Sequence, residues 1–194
     1  MYTLQKTFLI LFLFISSFNF TLSQQEDAQA EEMKVWTEYM TPSSMHEMMA
    51  KSAGDWKTIN KYWMDPSGEA MVTEGTAKIE MILGGRYQVS NHAGIIMGMP
   101  MEGMSLMGYD NATQEFTAVW VDNVGTGIAI AKGKYDESTK TITMDGTMVD
   151  PISKADMNFK QYMKIIDDNH QTLEMFLIYN GQEFKSLEIE YIRQ

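Results

Sequence analysis

Residues 70–83 read AMVTEGTAKIEMIL. Met71, Thr73, Ala77, Ile79, Met81 and Leu83 share one face of an extended chain, opposite Glu74, Thr76, Lys78 and Glu80. Successive side chains of a strand point to opposite faces, so this alternation predicts a strand with one face in a core and one in water. Turn signals recur on either side of it: Asp65-Pro66-Ser67-Gly68, Gly84-Gly85, Asp110-Asn111, Asp136-Glu137-Ser138, Asp167-Asp168-Asn169 and Asn180-Gly181. The last of these is the strongest two-residue hairpin signal, because both turn positions of that hairpin type need positive φ. About ten strands are expected, near 56–63, 70–83, 86–94, 102–109, 115–122, 126–135, 141–149, 156–166, 171–179 and 183–193. Short strands joined by tight turns, with no helices between them, predict an all-β antiparallel sheet. Closure into an up-and-down barrel removes its exposed edges.

The N-terminal part reads differently. Lys6 precedes an apolar run over 8–15 and then Ser16 and Ser17, the layout of a secretory signal peptide. The run is about half the ~20 residues that span a bilayer, so an anchor is the weaker reading. Processing is placed after Ser23, with Ala28-Gln29-Ala30 second, which makes residues 1–23 a signal peptide and the mature chain exported, periplasmic or secreted. Residues 24–40 are then a polar leader and a short helix in which Met33, Trp36 and Met40 fall at helical spacing. Ser44 with Glu47 three residues on reads as a capping box that starts a second helix ending at Gly54. The barrel domain is expected over 41–194.

The 194 residues are 44% apolar and 21% charged, a folding composition of single-domain size. The formal net charge of −11 argues against nucleic acid and anionic membranes, which are bound through clustered Lys and Arg. With no cysteine, disulfides, thiolate metal sites and Cys nucleophiles are excluded.

Gly54-Asp55-Trp56 resembles the Gly-x-Trp pattern that opens lipocalin-like barrels, in which an Arg of the last strand lies over the Trp. Arg193 is placed to make that cation–π contact, and Gly54, Trp56 and Arg193 are therefore assigned structural roles. Leu83-Gly84-Gly85-Arg86-Tyr87, Met97-Gly98-Met99-Pro100-Met101-Glu102-Gly103, Gly108-Tyr109-Asp110-Asn111, Trp120-Val121-Asp122 and the ending Glu188-Ile189-Glu190-Tyr191-Ile192-Arg193 resemble the bacterial domain of unknown function 1579 family, from about Met45 to the C-terminus. Met101 departs from it, standing where an aromatic residue is usual. The resemblance implies a lipocalin-like (calycin-type) barrel in an exported bacterial protein, and it carries no activity and no functional residue.

Candidate ligand-binding residues are Arg86, His92, Met104, Tyr109, Trp120 and Asp122. Arg86 follows a Gly-Gly turn and could face an anion, against the plainer reading of a structural ion pair beside a tight turn. His92 is the one histidine expected within a strand. It could be a base or a haem ligand, against the plainer reading of a hydrogen-bonded core residue. Phe116, Ala118, Trp120 and Asp122 share a face. If it points inward, it gives an apolar wall with one polar group near the mouth, the usual make-up of a small-ligand site. Tyr109-Asp110-x-x-Thr113 recurs as Tyr135-Asp136-x-x-Thr139, which reads as a reused hairpin tip. Five of the 19 methionines lie within 97–107, where thioethers could hold Cu(I) or simply line a pocket. Gly98, Pro100 and Gly103 suggest that this segment is a bent loop joining a strand near Glu102, with Met104 facing the cavity.

No metal site, cofactor or catalytic constellation is read from the sequence. The expected function is a non-enzymatic module holding a small apolar or amphipathic molecule in a barrel cavity, not membrane-embedded and without a nucleic-acid partner. The alternatives are an exported isomerase or hydrolase using polar residues around that cavity, and Met-based Cu(I) binding.

Overall fold

A computed structural model describes residues 27–179 and 181–194. The expected signal peptide, 1–23, lies outside them. The described residues fall into two units, divided between Thr41 and Pro42.

In the first unit, residues 27–40 form one helix, α1. The polar leader expected up to residue 32 is therefore helical from 27 onward. Ala28, Gln29 and Ala30 are good helix formers.

The second unit begins with α2 (Ser44–Lys51). Its cap is Ser43, one residue before the expected Ser44. The Ser43 carbonyl accepts from His46 and Glu47 N–H at 2.9 and 3.1 Å. His46, not Glu47, then holds the reciprocal position, its Nδ1 accepting the Ser43 N–H at 2.9 Å. An imidazole nitrogen does here what a carboxylate normally does.

Ten strands follow: β1 (Gly54–Tyr62), β2 (Met71–Ile82), β3 (Tyr87–Ile96), β4 (Met99–Asp110), β5 (Glu115–Asp122), β6 (Ala129–Asp136), β7 (Thr141–Val149), β8 (Asp156–Ile165), β9 (His170–Tyr179) and β10 (Gln182–Arg193). Each pairs antiparallel with its sequence neighbours, and β1 pairs with β10, so the sheet closes into an up-and-down barrel. Tyr179 pairs with Gln182 across a two-residue connection in which Gly181 has φ 77°. The repeated hairpin tip is also realised. Asp110 Oδ1 accepts from Ala112 N–H and Asp136 Oδ1 from Ser138 N–H, each at 2.8 Å.

The alternation of β2 holds: Ala77 and Ile79 are buried while Glu74, Thr76, Lys78 and Glu80 are exposed. Leu83 breaks from its expected face. It lies in the β2–β3 turn at φ 50° and is 69% exposed. The methionine segment also differs from expectation, because the strand starts at Met99 and not near Glu102. Met97 (φ 51°) and Gly98 (φ 77°) make a tight turn, and Ile96 pairs with Met99. Pro100 is tolerated because β5 pairs with β4 only from Gly103 onward, so the flank of β4 at Pro100 has no ladder to break. β6 begins at Ala129 rather than 126, since Asp122 Oδ1 accepts the N–H groups of Val124 and Gly125, both at 2.9 Å, and holds that stretch as a turn.

Antiparallel alternation places the connections β1–β2, β3–β4, β5–β6, β7–β8 and β9–β10 at one end, the mouth. The other end is the floor, where α2 enters. Met49 is buried there with Met107, Phe116, Ile142, Met144 and Phe159, and Gln88 Nε2 donates to the Met49 carbonyl at 2.8 Å, tying β3 to the last turn of α2.

Candidate functional site

The floor is solid. Trp56 is 1% exposed, and its Nε1–H donates to the Ser52 carbonyl at 3.0 Å. The Arg193 guanidinium lies 4.2 Å from the Trp56 ring centroid. It donates to the carbonyls of Ala53, Lys51 and Asp168 at 2.7, 2.7 and 2.6 Å. Gly54 is required beside it. Its φ is 141°, and a Cβ there would come within 2.6 Å of Arg193 Nη1. A void of about 20 Å³ remains under α2, bounded by Met48, Met49, Gln88, Met107, Met163 and Gln171.

Toward the mouth the inward side chains change character. The register His92↔Gly103↔Asp122 and Ser105↔Trp120 places these residues on the inner face, with Phe116 buried on the same face of β5. The aromatic face of β5 therefore points inward. Rings step from the floor upward: Trp56 meets Tyr191 edge-on at 6.3 Å, Tyr191 meets His92 at 5.9 Å, and His92 meets Trp120 at 5.3 Å. Trp120 lies over Gly103, where an added Cβ would come within 2.3 Å of the indole. Its Nε1–H donates to Asp122 Oδ2 at 2.7 Å, which fixes the ring's direction.

Burial governs the electrostatics. It lowers the His92 pKa from 6.5 to about 4, so the ring is neutral at ordinary pH. It also raises the Tyr191 and Tyr62 hydroxyls above the usual phenol range. The contacts of His92 among the described residues are ring edges rather than hydrogen bonds. Thr58 and Asn60 are buried on the inner face of β1, Asn60 Nδ2 donating to Thr58 Oγ1 at 3.3 Å. Thr73 Oγ1, opposite Asn60, is buried with no hydrogen-bond partner among the described residues. On the other strands Met101, Met148, Met157, Met175 and Leu177 point inward and are half-buried, Met148, Met175 and Leu177 packing against the cluster around Met49 and Phe159.

Of the residues singled out from sequence, His92, Trp120 and Asp122 come together on the inner wall. Arg86 and Tyr109 do not join them. Arg86 lies in the β2–β3 connection at the floor end, its Nη1 within 3.4 Å of the Leu83 carbonyl. Tyr109 packs there on Phe116 at 4.8 Å and edge-on to His46 at 5.8 Å. Each is six residues of strand away from the level of His92 and Gly103, roughly 20 Å at the strand rise. Met104 is the clearest correction. It points out of the barrel and is 40% exposed, because its partner Val121 alternates with the inward Trp120. Sequence reasoning missed Tyr191, Thr58 and Asn60. Trp56 marks the inner face of β1, so Thr58 and Asn60 were readable as polar groups on a face already known to point inward.

A second concavity, about 840 Å³ and shallow, crosses the outer face of β1–β5 past Asp55, Lys78, Asn91, Glu102 and Asn123. Two of its polar side chains already have partners. Lys78 pairs with Glu80 at 3.1 Å, and Asn123 Oδ1 accepts the Glu102 N–H at 3.0 Å. Among the described residues no cluster of three or more His, Asp or Glu side chains could hold a metal ion.

A closed ten-stranded antiparallel barrel, plugged at one end by a Trp–Arg pair and lined at the other by aromatic and thioether side chains, fits the lipocalin-like class. The chain belongs to the family described as protein of unknown function (DUF1579), whose family model matches residues 41–193. It is similar to the crystal structure of Rv2717c from M. tuberculosis, with a TM-score of 0.57 at 11% sequence identity, covering 79% of this chain and 99% of that one. At that identity the likeness shows the fold alone. No curated protein matches the sequence. No helix among the described residues is long and apolar enough to cross a membrane.

Proposed function

We propose that the protein is a non-enzymatic binding module that holds a small apolar or amphipathic molecule in the mouth half of the barrel, with His92, Trp120 and Asp122 in its wall. The observation that carries this reading is the contrast between the two halves. At the floor Trp56, Met49 and Phe116 are packed, and the Arg193 guanidinium is matched by three carbonyls. Toward the mouth a neutral imidazole and a buried threonine hydroxyl stand without hydrogen-bond partners among the described residues. A few fixed polar groups in an apolar cup is how small-ligand sites are built. The enzyme alternative asked for two or more of Arg86, His92, Tyr109 and Asp122 within hydrogen-bond reach in a pocket; Arg86 and Tyr109 lie roughly 20 Å of strand from the level of His92, which leaves His92 and Asp122 as the pair on which that reading rests. Export belongs to the same proposal and rests on the apolar run after Lys6.

Two measurements test the binding reading. Native mass spectrometry of protein purified from its own host should show a co-purifying small molecule. A neutral apolar fluorophore such as N-phenyl-1-naphthylamine should brighten on titration and be displaced by that molecule. No retained mass together with no dye binding would overturn it.

A further inference from the structure

We propose that the barrel selects uncharged amphiphiles, headed by a hydroxyl or amide, over carboxylates and amines of the same chain length. The inference rests on the binding reading above and narrows it to a chemical class.

Alternation fixes which side chains face inward on all ten strands. Among those described, only Asp122 and Arg193 carry full charge. Arg193 is unavailable to a carboxylate, because its guanidinium is committed to three carbonyls and to the Trp56 face at the floor. No lysine faces inward. Lys61 and Lys185 pair with Glu188 on the outside of the barrel, and Lys185 lies over Trp63. An entering carboxylate would meet the Asp122 carboxylate first and then find no counter-charge, leaving an ion desolvated without compensation. An ammonium group could meet Asp122. That carboxylate, however, already accepts from Trp120 Nε1 and from the Val124 and Gly125 N–H groups, and beyond it the wall offers a cation no second anion.

A neutral head finds better partners. His92 is an uncharged ring with an acceptor nitrogen, Thr73 Oγ1 is unpartnered, and the Tyr191 hydroxyl remains protonated. A hydroxyl or amide both donates and accepts, so it can satisfy such groups without bringing a charge. The Met101 and Met157 thioethers, inward and half-buried, supply adaptable apolar walls for its chain.

The test uses displacement of N-phenyl-1-naphthylamine from the chain at about pH 7.5 by 1-dodecanol, dodecanoate and dodecylamine. The alcohol is expected to compete at least tenfold more strongly than either charged analogue. His92→Phe should weaken the alcohol about tenfold more than it changes the affinity for the dye, which places hydrocarbon rings in the cup. Failure of the dye itself to bind would defeat the binding reading. Dye binding with dodecanoate or dodecylamine equal to or tighter than dodecanol would overturn the selectivity and leave the binding reading intact. An alcohol preference untouched by His92→Phe would remove His92 as the recognising group.

Discussion

His92 makes the stability of this barrel depend on pH in a way that can be isolated. The ring is held neutral by burial, with its pKa moved from 6.5 to about 4. In the unfolded chain it titrates near its ordinary value. Between these two values the unfolded state binds a proton that the folded state refuses, so acid favours unfolding. The stabilisation is complete above about pH 6.5 and is lost as the pH falls toward about 4. At about 1.4 kcal/mol per pKa unit, the full displacement amounts to about 3 kcal/mol, most of it expressed by about pH 4.5. Urea unfolding at a series of pH values from about 7.5 to about 4.5 measures it. With a slope of roughly 2 kcal/mol/M, the midpoint should fall by about 1 M or more. Other groups contribute in the same direction. Burial lowers the His46 pKa, and hydrogen bonds from Lys185 and Lys61 hold Glu188 low. Comparison with His92→Phe removes them, because the variant keeps an aromatic ring against Trp120 and Tyr191 and cannot titrate. The difference in stability between wild type and variant should shrink by about 2–3 kcal/mol over this range. A difference that stays constant with pH would refute the assignment of His92 as a buried neutral ring.

Four further outcomes are expected. Gly103→Ala pushes a Cβ into the Trp120 indole, so it should cost about 1–3 kcal/mol and shift tryptophan fluorescence as the Trp120–Asp122 bond breaks; an unchanged spectrum would contradict the packing. Arg193→Met leaves three carbonyls unmatched and uncovers Trp56, with an expected loss of about 3 kcal/mol in chemical unfolding. Met104→Leu should change stability by less than about 0.5 kcal/mol and leave dye affinity unaltered, since Met104 faces outward. Anaerobic Cu(I) titration should give equal, weak binding to wild type and to the Met97, Met99, Met101 triple leucine variant, and tight stoichiometric binding to wild type alone would restore the copper reading.

Much of the barrel was legible because antiparallel strands carry their instructions locally. Residues 70–83 announce a strand through alternation against water, and Gly181 and Asp136 announce the turns. The start of β4 was not legible, because Gly98 and Pro100 read as breakers to anyone who cannot see that β5 stops short of them. Met104 was misjudged for a related reason. Methionine is at home in a core and on a surface, so its direction comes only from register with β5. That register depends on the Asp110↔Glu115 closure, and a slip of one residue reverses every side chain. Part of the site misreading was avoidable. Arg86 and His92 lie six residues apart along one run, and strand rise alone keeps them from meeting.

The inner wall divides into a part whose polar groups are bonded and a part where some are not. A buried polar group without a partner costs about 1–3 kcal/mol, and sequences under pressure for stability alone replace it with an apolar one. Here the polar groups at the floor are matched. Gln88 donates to Met49, Gln171 to Ser52 and Trp56 to Ser52, and each bond ties a strand to α2 or the chain just after it. Nearer the mouth the pattern reverses. Thr73 Oγ1 has no partner among the described residues, and His92 is pressed between rings that cannot bond its nitrogens. One barrel with a saturated floor and an unsaturated mouth is uneven in a way that packing does not require. A guest that supplies the missing hydrogen bonds would remove the penalty. Binding would then raise the unfolding temperature in proportion to ligand excess, by the mass action that couples any native-state ligand to stability.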